Sequence, residues 1–141
     1  MFSKCLAVCG ILCVLIAVGC NDQSATSETK SEADTFEQAL FDVETLKDKI
    51  RDSFAEGDID AAHDPLHEIG NRLEDVSRLA ADTTLSGDDV KSVETCVNEL
   101  FAAFGEIDKT FHGEEGATYE EEAETIDNAM ERLSELEAGI K

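Results

Sequence analysis

Proline, tryptophan and basic residues are scarce in this chain. Only one of its 141 residues is proline and none is tryptophan, and 11 Lys and Arg face 33 Asp and Glu, for a formal net charge of −22. Because polyanions repel one another, this shortage of positive charge excludes nucleic acid as a partner. The low proline content and the few β-branched runs argue against an all-β fold. With 42% hydrophobic residues, the chain has enough apolar side chains for one core.

Several motifs of enzymes and cofactor-binding proteins are also absent. The sequence contains no Cys-x-x-Cys-His haem attachment, no Gly-rich phosphate loop and no Glu-x-x-His pair of the ferritin-like di-iron type. Cys96 has no histidine near it in sequence, so a packed thiol is a better interpretation than a nucleophile. We therefore expect no enzymatic activity.

The first 20 residues differ from the rest of the chain. Lys4 supplies a short basic start, and residues 5–18 are almost uninterruptedly apolar. This run is shorter than the roughly 18 to 20 residues that cross a bilayer as a helix. The pattern predicts a cleaved signal peptide over residues 1–19.

The end of this segment, Ala17-Val18-Gly19-Cys20, resembles the lipobox of bacterial lipoproteins. The resemblance implies cleavage before Cys20 and lipidation of that residue, which anchors the protein to a membrane of the cell envelope, facing the periplasm or the exterior. Two or more acyl chains give stable anchoring, whereas one chain binds only marginally. The alternative is an ordinary signal peptide in which Cys20 merely lies near the cut.

The segment that follows has no apolar period. Residues 20–33 are rich in Ser, Thr and Glu, and we expect a flexible acidic tether that begins with the lipidated cysteine. Three further cysteines leave with the signal peptide, so Cys96 remains as the one thiol of the mature domain. No intramolecular disulfide is then possible.

From residue 34 onward, apolar residues recur every three or four positions, which is typical of amphipathic helices. The pattern predicts helices at about 35–56, 59–81, 87–112 and 119–139. Because short connections force neighbouring helices to run antiparallel, we expect residues 34–141 to form an all-α, up-down-up-down four-helix bundle. The predicted apolar stripes, in chain order, are Phe36, Ala39, Val43, Leu46 and Ile50; Ile59, Ala62, Leu66, Ile69, Leu73, Val76 and Ala80; Val90, Val93, Val97, Leu100, Phe104, Ile107 and Phe111; and Tyr119, Ile126, Ala129, Leu133, Leu136 and Ile140.

The histidines are the most informative residues of the sequence. His63 and His67 are four positions apart in the second helix, and Asp108 and His112 repeat that spacing in the third. Residues four apart share a helix face. In the expected topology the start of helix 2, the end of helix 3 and the start of helix 4, with Tyr119, lie at one end of the bundle. All three imidazoles and one carboxylate are therefore predicted to gather there.

These side chains suit a transition metal such as Zn(II), Cu(II) or Ni(II). The start of helix 2 decides which of them can share an ion. If it starts near residue 58 and kinks at Pro65, His67 and His112 differ in height by about 12 Å, and only His63, Asp108 and His112 can share an ion. If it starts at Pro65, His67 joins Asp108 and His112, while His63 lies on a loop.

Two other interpretations stay open. The histidines can simply pair with neighbouring carboxylates, in which case the protein is a structural or protein-protein interaction lipoprotein that binds another envelope protein and no metal. A non-covalent haem site is the third alternative, because four-helix periplasmic cytochromes share the expected topology. Met130 lies in helix 4, away from the histidines, and does not favour haem ligation.

The segments AHDPLHEIG, IDK and FHG around the histidines are similar to small envelope proteins of planctomycete-type bacteria. The similarity extends over most of residues 36–136. It implies a shared helical fold and no particular activity.

Overall fold

The computed structural model describes residues 35–140, and this part of the chain is all-helical, with four α-helices and no β-strand. The prediction of an all-α fold with four helices is confirmed. In chain order the helices are α1 (Phe36–Glu56), α2 (His63–Ala80), α3 (Gly87–Lys109) and α4 (Tyr119–Ala138). A 3-10 turn, Ile59–Ala62, precedes α2, and a second one, Thr110–His112, follows α3.

Local sequence signals define the helix ends. Thr35 caps α1 by accepting a hydrogen bond from the Gln38 backbone. Capping boxes begin α3 (Ser86 with Asp89) and α4 (Thr118 with Glu121). After α1 and after the second 3-10 turn, a glycine with positive φ ends the helical segment, because the left-handed region is open to glycine without steric cost.

The start of α2 agrees with neither of the two predicted alternatives. Helical structure begins at Ile59, but its first turn is a 3-10 turn and the α-helix starts at His63. Pro65 therefore lies in the first turn of α2, where backbone N–H groups have no intrahelical partner and a missing donor costs little. The proline thus lies just after the change from 3-10 turn to α-helix.

Most residues of the predicted apolar stripes are buried in the core, and Ile59 is the clear exception. Four stripe residues are only partly buried: Val90, Phe111, Leu136 and Ile140. The core also contains four residues outside the stripes: Leu40, Leu79, Cys96 and Ala103. Ile59, predicted to begin the second stripe, is 46% exposed. It lies in the 3-10 turn, whose period of three residues differs from the α-helical period on which that prediction rested. The core side chains with no exposed surface include Val43, Ile50, Ile69, Leu73, Val76, Val93, Leu100, Ile107, Ile126 and Leu133.

A buried ion pair was not predicted from the sequence. Arg72 and Asp75 of α2 are 7% and 4% exposed, and Arg72 Nη1 lies 3.4 Å from Asp75 Oδ2. Arg72 Nε also approaches Asp42 Oδ2 of α1 at 3.7 Å, and Arg78 Nη2 binds the other Asp75 oxygen at 2.8 Å. The buried charges are compensated by this network, which links α1 to α2.

Each helix packs against its sequence neighbours, and α4 also contacts α1. Among residues 35–140, no helix combines the length and the apolar composition needed to cross a membrane. The predicted signal peptide over residues 1–19, the lipidated Cys20 and the tether over residues 20–33 lie outside the described residues.

Candidate metal centre

The structure brings together all four side chains that the sequence singled out. One ligand atom from each of His63, His67, Asp108 and His112 lies within 4.8 Å of the corresponding atoms of the other three. In the described part of the chain this is the one group of three or more potential ligands with such spacing. The sequence contains three histidines, and all three belong to this group.

Two i, i+4 pairs build the group. His63 opens α2 and His67 follows one turn later, with their Nε2 atoms 3.0 Å apart. Asp108 lies near the end of α3 and His112 in the 3-10 turn that follows, with His112 Nε2 3.2 Å from Asp108 Oδ2. Ring centres of His112 lie 5.8 Å from His63 and 6.0 Å from His67. The two pairs therefore face each other across the contact between α2 and the end of α3.

These distances are close to those of a tetrahedral site. Ligand atoms at about 2.0–2.1 Å from a tetrahedral ion lie about 3.3 Å from one another. The contacts within each pair, 3.0 Å and 3.2 Å, match two opposite edges of such a tetrahedron. Between the pairs the group is wider, up to 4.8 Å, so an ion would draw the two pairs together by rotation of their side chains.

One of the two predicted alternatives, with helix 2 starting near residue 58, placed His67 and His112 too far apart to share an ion, and the structure does not agree with it. That expectation compared backbone heights along continuous α-helices. A helical side chain leans toward the N-terminus of its helix, so the His67 ring lies over the turn of His63, and their ring centres are 4.6 Å apart. His112 also lies in a 3-10 turn, so its backbone departs from the continuous α-helix that was assumed for it.

Aromatic side chains support the histidine rings from the core side. His63 stacks on Phe111, with ring centres 5.2 Å apart and planes inclined by 27°. Phe111 meets Phe54 edge-on at 6.5 Å, and Phe54 in turn lies 6.5 Å from the Tyr119 ring. The sequence placed Phe111 on an apolar stripe, but its stacking on an imidazole depends on the angle of the 3-10 turn and had no sequence signal.

Tyr119 lies at this aromatic wall but outside the ligand group. Its ring is 6% exposed, and its hydroxyl is buried with no hydrogen-bond partner among the described residues. Burial, followed by the nearby charge of Asp127, raises the pKa of Tyr119 to about 12 from 10.0. A neutral phenol of this kind contributes to the wall rather than to ligation.

Asp108 is the least satisfied polar side chain of the group. Its Oδ2 atom approaches His112, but its Oδ1 atom is buried and has no hydrogen-bond partner in the described structure. A buried acceptor without a partner costs roughly 1–3 kcal/mol, and an ionised one costs more. A carboxylate in this situation is stabilised when a positive charge comes close to it.

The remaining site expectations concern the enzyme and haem interpretations. Cys96 is 1% exposed, and burial raises the pKa of its thiol, which disfavours a reactive thiolate there. The haem alternative stays a prediction, with the three ring centres of the histidine group 4.6 to 6.0 Å apart. The absence of an enzymatic function stays a prediction.

Comparisons with known proteins give no family for this chain: no family model, curated protein or solved structure matches it. The similarity of residues 36–136 to planctomycete-type envelope proteins also stays a prediction. The geometry of the histidine group is therefore the main observation from which a function can be argued.

Proposed function

We propose that this protein binds one transition metal ion through His63, His67, Asp108 and His112. The observation that carries the proposal is the convergence of four ligand atoms within 4.8 Å, together with the buried, unpartnered Oδ1 atom of Asp108. Hydrogen bonding within each pair explains the pairs separately. It does not explain why the two pairs face each other, or why one carboxylate oxygen is buried without a partner.

The donor set indicates which ions are favoured. Three imidazole nitrogens and one carboxylate oxygen suit Zn(II), Cu(II) or Ni(II), whereas Mg(II) and Ca(II) prefer sites made of oxygen atoms. The chain has 33 acidic residues, and these attract any divalent cation weakly and diffusely. A preference for transition metals over Ca(II) therefore distinguishes the proposed site from the general charge of the protein.

The exposure of the ligands favours an exchangeable ion. His67 and His112 are exposed, while His63 and Asp108 are partly buried. The ion would thus be held from the core side by two ligands and reached from solvent past the other two. This arrangement fits a protein that acquires or passes on a metal better than one that uses it as a permanent structural element.

Isothermal titration of the described domain with ZnCl₂ and CuCl₂ tests the proposal. We expect one strong site, no comparable site for CaCl₂, and a loss of about tenfold or more in affinity for His63→Ala and for His112→Ala. Asp127→Asn, which removes an exposed carboxylate outside the group, is the matched control and keeps the affinity. Equal binding of zinc by the wild type and by both histidine variants would overturn the proposal.

We also propose that the four helices form the up-down-up-down antiparallel bundle expected from the sequence. Short connections of residues 57–58, 81–86 and 113–118, together with the contact between α1 and α4, support this topology. Glu37 of α1 and Glu137 of α4 line the same groove. Spin labels on cysteines placed at these two positions should then lie well within the roughly 30 Å length of one helix.

Finally, we propose that the domain is held at the cell envelope by lipid on Cys20. The support is the lipobox-like sequence Ala17-Val18-Gly19-Cys20 after a short apolar run. At the envelope, outside the cytoplasm, an exposed metal site meets ions before they are taken up. Anchoring and metal binding are separable, because the ligand residues all lie in the domain that follows the tether.

A further inference from the structure

A groove between α1 and α4 lies outside the histidine group. Its cavity has a volume of about 350 Å³. Leu40 and Leu133, which are 5% and 0% exposed, form its floor, and Met130 lies partly exposed beside them. The contact between α1 and α4 is less extensive than the contacts between helices that follow each other in the chain, which leaves this face open.

Phe41 projects from this groove into solvent. It is 64% exposed, the highest value among the large apolar side chains of the described residues. It lies on the turn next to Leu40, so the apolar floor continues outward to an exposed ring. Single exposed apolar residues are ordinary, but one that extends a groove is typical of an interaction surface.

The rim of the groove is strongly acidic. Five carboxylates line it, and the one basic residue, Lys47, has its ammonium 3.4 Å from Asp48 and its side chain only 13% exposed. A partner therefore meets negative charge along both sides of an apolar floor. The acidic residues are Glu37, Glu44, Asp127, Glu131 and Glu137.

We propose that this groove binds a basic amphipathic helix of a partner protein. An apolar stripe of such a helix would cover Leu40, Phe41 and Met130, and its Lys and Arg side chains would face the two acidic rims. Opposite charge of this kind speeds association and excludes acidic competitors. The inference is independent of metal binding, because none of the groove residues belongs to the histidine group.

The charge of the chain itself argues against two other occupants. In a second copy of this protein, the same acidic rim would face the groove, and a net charge of −22 per chain opposes that contact. The chain's own residues 21–33 contain three acidic residues and one lysine. Neither supplies the positive charge that the rims require.

A synthetic helical peptide provides the probe. It has about 18 residues, with leucines spaced i, i+3, i+4 and i+7 on one face and lysines elsewhere, and carries a fluorescent label. Binding to the purified domain is followed by fluorescence anisotropy at about 0.15 M salt, where diffuse attraction is largely screened. A second peptide has glutamate in place of every lysine.

Two pairs of variants separate the groove from the general acidity of the protein. Phe41→Ala removes the exposed ring of the groove, and Phe101→Ala removes the 38% exposed ring of α3 as its matched control. Glu44→Gln with Glu131→Gln removes one carboxylate from each rim, and Glu94→Gln with Glu56→Gln removes the same charge elsewhere. All six positions are exposed, so the variants are expected to fold.

We expect the lysine peptide to bind, and Phe41→Ala to weaken binding at least about tenfold, as for a central aromatic anchor. The rim variant should also weaken binding of the lysine peptide, and both control variants should bind it as the wild type does. The glutamate peptide should not bind. Equal effects of the groove and control variants would show diffuse attraction and overturn the proposal. So would an absence of binding, or sedimentation showing that a second copy occupies the groove.

Discussion

Replacing Asp108 by asparagine tests two effects of this carboxylate on the free energy of unfolding: it destabilises the metal-free protein, and it stabilises the protein when an ion is bound. The Oδ1 atom of Asp108 is buried without a partner, a situation that costs roughly 1–3 kcal/mol. A neutral amide at the same place is cheaper to bury than a carboxylate. The variant loses the contact with His112, whose side chain is 49% exposed, and such exposed pairs contribute only about 0–1 kcal/mol.

The metal-free variant should therefore be more stable than the wild type, by about 1 kcal/mol. For a domain of this size that corresponds to a rise of about 4 °C in Tm. The order should reverse with zinc. At a concentration about 100 times its Kd, the ion adds about 2.7 kcal/mol to the wild type, whereas a tenfold weaker variant gains about 1.4 kcal/mol at that concentration.

Thermal unfolding followed by circular dichroism, once with a chelator and once with ZnCl₂, measures both effects. Asp127→Asn makes the same change of charge at an exposed position of α4 and serves as the control for reduced repulsion. Its stability relative to the wild type should not change sign when zinc is added. A metal-free Asp108→Asn protein that is less stable than the wild type would refute the argument about Oδ1, and an undiminished response to zinc would refute ligation by Asp108.

Three further predictions concern other parts of the molecule. Tyr119 is the one tyrosine and there is no tryptophan, so phenolate absorbance reports this residue alone and should titrate near pH 12 in the folded protein and near pH 10 in urea. Because the folded pKa is raised, the stability that the neutral phenol contributes should be fully present below about pH 10 and fall as the pH rises toward 12. A folded midpoint near pH 10 would contradict the burial of this ring. Gly116→Ala would place a methyl group against the Glu106 carbonyl and should lower the free energy of unfolding by about 1–3 kcal/mol, whereas Gly87→Ala, with open space around it, should raise it by about 0.4–1 kcal/mol; equal effects in urea unfolding would show that the loop relaxes. Cys20→Ala should move the full-length protein from the membrane fraction to the soluble fraction, and unchanged partition would rule out anchoring through this cysteine.

Much of the fold followed from the spacing of apolar residues. The stripe from Phe36 to Ile50 is buried as predicted, because a helix with one apolar face has to cover that face. Ile59 failed because a 3-10 turn does not keep the α-helical period. Arg72 and Asp75 had no signal at all, since charged residues are rarely buried unless they are paired in three dimensions.

For the candidate site, the sequence determined which residues take part. Three histidines and one aspartate at i, i+4 spacing define two ligand pairs, and that spacing alone places the members of each pair on one face. Whether His63 and His67 could both reach Asp108 and His112 was not decided by spacing, because it depends on helix type and on side-chain lean. The packing of α2 against the end of α3, with 3-10 turns at both places, brought the two pairs face to face and left Asp108 Oδ1 buried without a partner. Local periodicity thus determines helices and pairs, whereas a distance between two helices exists only once the chain has packed.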